Sequence, residues 1–404
     1  MKKIAICGLA LTLAVLLATP AMAAKIEPYA SMRLGTYWVS HDFNDYQPSW
    51  TTDSQDDSLM IDIADISRFG ARGQVGDIYG VVEVGLVGQE NKNEYTWYAY
   101  GGNDNMVYTR LIYGRWDFGS GKLTVGQDYT PVTYPSAQQG PGIFDDSSSA
   151  AAPGDSYDLQ NGFIGVGCLW DSRIPQIKVN LNNGLYFVVA QNDDGTPQGA
   201  PAGGDIDLVL PKMMIGYEYK TEGFYLAPGF AYQRYNYEAL GGDTEDITSY
   251  IIYLHGKADF GSVNFTFTGH YGQNLGDYAI TGRYNRYSVS PTTGAVFNPS
   301  KAYWNGNDVD DAKCWGGYLT AGIPISLGSI NLGWGYSSDE NDTSAVVGAD
   351  DADELMGYFV NWRIPIADVF TCTPEFGYWD GMDNAFGQQD PDTWYLGATW
   401  QMDF

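Results

Sequence analysis

The last twelve residues, TWYLGATWQMDF from Thr393 to Phe404, decide how the chain is read. Trp394, Leu396, Ala398, Trp400, Met402 and Phe404 fall on one side of an extended chain; Tyr395, Gly397, Thr399, Gln401 and Asp403 fall on the other. Successive side chains of a strand point to opposite faces, so a repeat of two marks a strand with one apolar face. Upstream, between Gly261 and Gln273, Val263, Phe265, Phe267 and Tyr271 alternate in the same way with Ser262, Asn264, Thr266, Thr268 and His270. In a soluble sandwich such apolar faces point inward, whereas in a transmembrane barrel they point outward to lipid.

Working outward from that strand, turn residues punctuate the chain into sixteen segments, near 26–40, 58–74, 78–88, 105–117, 121–128, 173–181, 184–191, 208–220, 223–238, 247–259, 261–273, 308–324, 329–337, 353–364, 370–380 and 392–404. Many reach the roughly 9 to 11 residues that a tilted strand needs to cross a bilayer. Their connections alternate short and long, as they do when one rim of a barrel carries tight turns and the other carries loops. Charged and small residues on the polar face would be expensive in a sealed core. An even count brings the chain back to its starting side, so that first and last strands can close the wall. The expected fold is all-β: a 16-stranded antiparallel transmembrane barrel with short periplasmic turns and long extracellular loops.

Composition agrees. Aromatics make up 15% of the residues, charged residues only 17%, and there are 50 glycines, a mixture that suits strands and turns rather than soluble helices. Lys2 and Lys3, the apolar run Ile4 to Leu17 and the site Ala21-Met22-Ala23 read as a cleaved signal peptide over residues 1–23, leaving one domain over 24–404. Removal of that leader takes away two lysines and no acid, so the net charge moves from -28 to -30. So acidic a surface rules against nucleic acid as a partner. Cys168, Cys314 and Cys372 are widely spaced and odd in number, which argues against a disulfide framework, and neither a metal nor a cofactor motif is present.

One stretch resists regular structure. Between two short strands, residues 129–172 carry Pro131, Pro135, Pro141 and Pro153 and the run Ser147-Ser148-Ser149, yet also Tyr129, Tyr134, Ile143, Phe144, Phe163 and Trp170. A connection this long is usually functional or disordered, and its aromatics give it anchors. It is expected to fold into the lumen and narrow it.

Several segments carry a family resemblance. SRFGARG from Ser67 to Gly73, then Tyr79-Gly80-Val81-Val82-Glu83-Val84, resembles the second and third strands of Gram-negative general porins. Arg110-Leu111-Ile112-Tyr113, Phe118-Gly119 and VGQDYTP from Val125 to Pro131 resemble that family's fourth and fifth strands, and RIPQIKV from Arg173 to Val179 the strand after its constriction loop. The resemblance implies an outer-membrane homotrimer through which ions and small hydrophilic solutes diffuse passively. It also implies a waist formed by an inward-folded third loop, with loop acids, here Asp145, Asp146, Asp155 and Asp158, facing wall cations. Alternation points Arg33, Arg68, Arg72 and Arg110 away from the lipid-facing neighbours Leu34, Phe69, Ala71 and Leu111, and burial of arginine in lipid costs about 2 to 4 kcal/mol. Phe404, with Trp400 and Tyr395 upstream, looks like the terminal signal read by barrel-assembly machinery. Two departures stand out: Gln127 occupies a place where many members have arginine, and the parity of Arg173 with Ile177 and Val179 would face lipid unless the loop end re-aims it.

The excess of acid suggests weak cation selectivity, and acidic loops could bridge to lipopolysaccharide through divalent cations. An enzyme is the competing class. Of the three histidines, His255 and His270 fall on the polar face of paired strands, but counting from the turn sets them roughly 15 Å apart along the barrel, too far to cooperate. The same strand pattern also suits a plugged, adhesive or structural barrel, closed by large loops such as 274–307, and it suits a substrate-selective channel.

Overall fold

The computed structural model describes residues 25–42, 57–64, 66–86, 107–134, 142–145, 157–160, 165–192, 195–201, 203–239, 244–278, 280, 288–289, 296–341, 343, 345–349, 351–390 and 392–404. They form a closed antiparallel barrel of sixteen strands. In chain order these are β1 (Lys25–Asp42), β2 (Asp57–Ile63, resumed as Arg68–Val75), β3 (Ile78–Leu86), β4 (Val107–Asp117), β5 (Gly121–Tyr129), β6 (Arg173–Leu181), β7 (Leu185–Ala190) and β8 (Asp205–Tyr217, resumed as Tyr219–Thr221). The second half comprises β9 (Phe224–Glu238), β10 (Thr244–Asp259), β11 (Asn264–Gln273), β12 (Lys313–Ile325), β13 (Gly328–Glu340), β14 (Asp353–Ala367), β15 (Phe370–Asp380) and β16 (Asp392–Asp403). Each strand pairs with its neighbours in sequence, and β1 closes the wall against β16 from Ser31↔Asp403 to Asp42↔Asp392. Phe404 completes the seam, its amide donating to the Ala30 carbonyl at 2.9 Å and its carbonyl accepting from the Ala30 amide at 3.2 Å.

The barrel is inside out relative to a soluble sandwich. On β16 Leu396 is 55% exposed whereas its neighbour Tyr395 is 0% exposed, and the other strands repeat the contrast with an aliphatic or aromatic side chain outward, down to Val125 on β5 and Tyr271 on β11. With water absent from the hydrocarbon, only a closed ladder leaves no backbone group unpaired. This outward apolar wall makes the chain a multi-pass outer-membrane β-barrel. One rim has tight turns; the hairpin between β2 and β3 is closed by Gly76-Asp77, with Gly76 at a φ of 58°, a left-handed value that glycine adopts without steric cost.

Among the described residues strict alternation is broken at several places, including a shift of β14 against β15 between Pro365 and Ala367; three others lie on β2, β8 and β4. β2 is not continuous: between its segments Ser67 folds against β1, its hydroxyl donating to the Arg33 carbonyl at 3.1 Å and accepting from the Arg33 amide at 3.0 Å. β8 shifts register against β9 twice, between Leu208 and Leu210 and between Leu210 and Met213. β4 shifts once, so that Glu83 pairs with Leu111 and Val84 with Thr109, leaving Arg110 between them. The β4 bulge turns Leu111 to the inner side, where it is buried, and corrects its expected lipid-facing placement. A bulge adds one residue to one strand and thereby inverts the parity beyond it.

Candidate pore constriction

Tyr129 ends β5, and the chain then turns inward instead of over the rim. The outgoing limb, Thr130 to Tyr134, starts with a turn in which the Thr133 amide donates to the Thr130 carbonyl at 3.1 Å. The return limb, Gly165 to Ser172, runs back to β6, and the Tyr134 amide donates to the Leu169 carbonyl at 3.4 Å, joining the two. Val132 and Leu169 pack with Tyr186, Val188, Met214, Ile251 and Tyr253, inner-face residues of β7 to β10. Tyr134 stacks on His255 of β10 at 4.7 Å between centroids and accepts through its carbonyl from the Tyr318 hydroxyl of β12 at 3.2 Å.

At its far end the return limb meets the opposite wall. Val166 packs with Tyr37, Val39, Leu355, Trp379 and Tyr395 of β1 and β14 to β16. Two glycines admit it: a Cβ at Gly335 would lie 1.9 Å from the Val166 carbonyl oxygen, and one at Gly357 would lie 2.7 Å from its Cγ2. The limb therefore spans the lumen from β6, past β8 and β12, to β13 and β14.

The wall from β1 to β6 is basic and tyrosine-rich. Arg33, Arg68, Arg72 and Arg110 all lie on the inner face. Arg110 is buried and bonds Glu83 Oε1 at 2.7 Å and the Tyr129 hydroxyl at 3.0 Å; Arg68 lies 3.3 Å from the other oxygen of Glu83. Arg33 is within electrostatic reach of Arg68 and Arg110. Arg72 covers the Tyr29 ring at 4.5 Å. Sequence reading missed Arg115, which lies over the Tyr113 ring at 5.3 Å, 3.8 Å from Asp128, and Lys178, 3.2 Å from the same carboxylate. Their alternation with Trp116 and with Ile177 and Val179 was the available signal. Arg173 is re-aimed as the loop end allows, its guanidinium lying within 5.9 Å of the centroids of Tyr108, Tyr129 and Trp170. Gln127 donates to the carbonyls of Thr109 and Arg110, both at 3.1 Å, and so supports the β4 bulge.

Of the four loop acids, Asp145 and Asp158 belong to a small hairpin in which Gly142–Asp145 pairs with Tyr157–Gln160; Asp146 and Asp155 lie outside the described residues. Trp400 faces out and donates through Nε1 to Thr36 at 3.1 Å. Cys168, Cys314 and Cys372 are buried free thiols.

The histidine spacing needs correction. Asp259 pairs with Asn264, so the turn runs from Phe260 to Val263, longer than expected, and His255 pairs with Thr268 while His270 pairs with Tyr253. The two histidines are diagonal neighbours rather than distant. His255 Nδ1 lies 2.8 Å from the Thr268 hydroxyl and its ring is covered by Tyr134, so loop packing occupies it.

No family model matches the chain, and no curated protein matches it in sequence. Solved structures do match. The outer membrane channel DcaP of Acinetobacter baumannii is similar over 94% of this chain and 97% of its own, with a TM-score of 0.64 and 15% identity. The fold is that of an outer-membrane porin. An anion-selective porin from Comamonas acidovorans shares the porin fold over 94% of this chain and 100% of its own, at a TM-score of 0.56 and 13% identity. The trimer form of OmpT, an outer membrane protein of Vibrio cholerae, shares it over 94% and 99%, at 0.50 and 13%.

Proposed function

We propose that the chain forms a water-filled channel for passive diffusion of ions and small hydrophilic solutes, narrowed by the segment 129–172. The observation that carries this reading is the pair of limbs lying inside the barrel, in a wall whose inner face bears Arg33, Arg68, Arg72 and Arg110. Such a basic wall opposed by Asp145, Asp146, Asp155 and Asp158 would set a transverse field across the path. The wall cations favour anions locally, and the net charge of -30 after leader removal favours cations at the mouth. The balance we infer is weak cation selectivity that fades as salt shortens the screening length to about 8 Å and below.

On this reading the protein is not an enzyme, works as a homotrimer and takes no cofactor. Trp400 and Phe404 present the terminal signal to the assembly machinery, and the acidic loops contact lipopolysaccharide through divalent cations. A second reading, a plugged or adhesive barrel, draws on one observation: loop residues Phe297, Val346, Ala349 and Ala385 pack into an apolar cluster of their own beyond the strands. Single-channel recording of purified protein in planar bilayers under a salt gradient separates the two. Open steps in groups of three with a small reversal potential on the cation side support the diffusion channel. Silence from folded barrels supports the plugged one.

A further inference from the structure

Where the two limbs meet the β8 wall, a buried ion pair ties four parts of the molecule together. Lys212 Nζ lies 2.5 Å from Asp171 Oδ1, and the two side chains are only 2% and 1% exposed. The other carboxylate oxygen of Asp171 accepts from the Thr130 hydroxyl at 2.8 Å, and the Asp171 amide donates to the Thr133 hydroxyl at 2.9 Å. Asp171 thus holds the outgoing limb as well as its own. On its far side the Lys212 ammonium lies 4.2 Å from the centroid of the Tyr278 ring, in the β11–β12 loop. Lys212 follows Pro211 and pairs in register with Ala190 of β7, two residues from the buried Met214, so alternation sets its side chain inward toward the limbs.

The surroundings are apolar: Val132, Leu169, Tyr186 and Met214 pack beside the pair. An apolar couple would fill such a site at equal or better stability, because both charges must be stripped of water. What apolar packing does not supply is a single register, since it is non-directional. The bonds from an ammonium and a hydroxyl to one carboxylate, with a second hydroxyl on its backbone amide, are directional and hold one register. We propose that Lys212 and Asp171 are positioning residues, a latch that fixes where the inserted segment crosses the lumen and so sets the bore of the channel. The inference rests on the channel reading above, and its test has an arm that does not.

Cys168 lies on the return limb, three residues from Asp171, and is buried against Tyr318. In a C314S/C372S background of the chain from Ala24, it reports limb displacement through its rate of reaction with a maleimide. Lys212→Met leaves a buried carboxylate without its cation, a change worth a factor on the order of 100 in local opening. The expected result is Cys168 labelling faster by about that factor, with larger and multi-level conductance steps, while heat-modifiable gel mobility stays that of a folded barrel. Lys212→Arg, which keeps the pair, should label within a few-fold of the parent. Should Lys212→Met fail to fold, Asp171→Asn, whose amide still accepts from Thr130, is expected to speed labelling roughly tenfold. Labelling and step size unchanged in a folded Lys212→Met or Asp171→Asn barrel would overturn the latch. Fast labelling in a barrel that never conducts would sustain the latch and remove the channel.

Discussion

Gly335 and Gly357 hold open the place where the return limb touches the far wall, and a single methyl tests that. Gly335→Ala would put a Cβ 1.9 Å from the Val166 carbonyl, so the limb or the strand must move. Overpacking of this kind costs about 1 to 3 kcal/mol; urea unfolding should show the loss, and the conductance step should change with it. Asp277 offers a second test, outside the membrane-spanning wall. Burial pushes its carboxyl up to about 6, although it accepts from the Ala302 amide at 2.6 Å. A raised carboxyl binds its proton more tightly folded than unfolded, so its destabilising effect appears as pH rises from about 4 to 6 and is complete above that. The β11–β12 loop should therefore resist protease better at pH 5 than at pH 7.5, and Asp277→Asn should flatten the difference. At this scale the sequence was legible where parity was intact: Leu34 and Phe69 flank inner arginines as alternation requires. It misled at Leu111, whose direction depends on a bulge, and left Lys212 and Asp171 unnoticed because neither sits in a motif.

For the strands, hydrophobic alternation fixes type and face, and turn residues fix the spacing, so the sixteen segments stand within a few residues of their expected places. Their breaks were hidden. Nothing in Asp57 to Val75 announces that Ser67 will fold back on Arg33, and the extra turn residues before Asn264 slid β11 by enough to bring His255 and His270 together. Register depends on turn geometry as much as on pattern. The inserted segment was legible through composition, its prolines excluding regular structure and its aromatics requiring something to pack on. Its path across the lumen was not, because that is written in glycines of β13 and β14 nearly two hundred residues away. Deletion of Ser136 to Asp155 is the test at this scale. Single-channel conductance should rise in barrels that still migrate as folded; an unchanged step would mean that this segment does not set the bore.

In the whole molecule the charges act together. With acid concentrated in the loops and cations on the β1 to β6 wall, reversal potential should be small, lie on the cation side in dilute salt and shrink at high salt. Replacing Arg72 and Arg115 together by glutamine should move it further toward cations, and no movement would mean that ions pass elsewhere. The seam between β1 and β16 carries a different consequence. Ser31 pairs with Asp403, so this contact joins the two ends of the strand order and no local turn supports it. Every other neighbouring pair joins strands adjacent in the chain, across a turn or one loop, whereas this one must wait for the last strand. The search to close so long a loop weighs on rate far more than on final stability. Until it closes, β1 and β16 each present a bare edge that can recruit another chain. Substitutions along the seam will therefore be felt first in yield, as aggregated precursor, in barrels that are as durable as the parent once made.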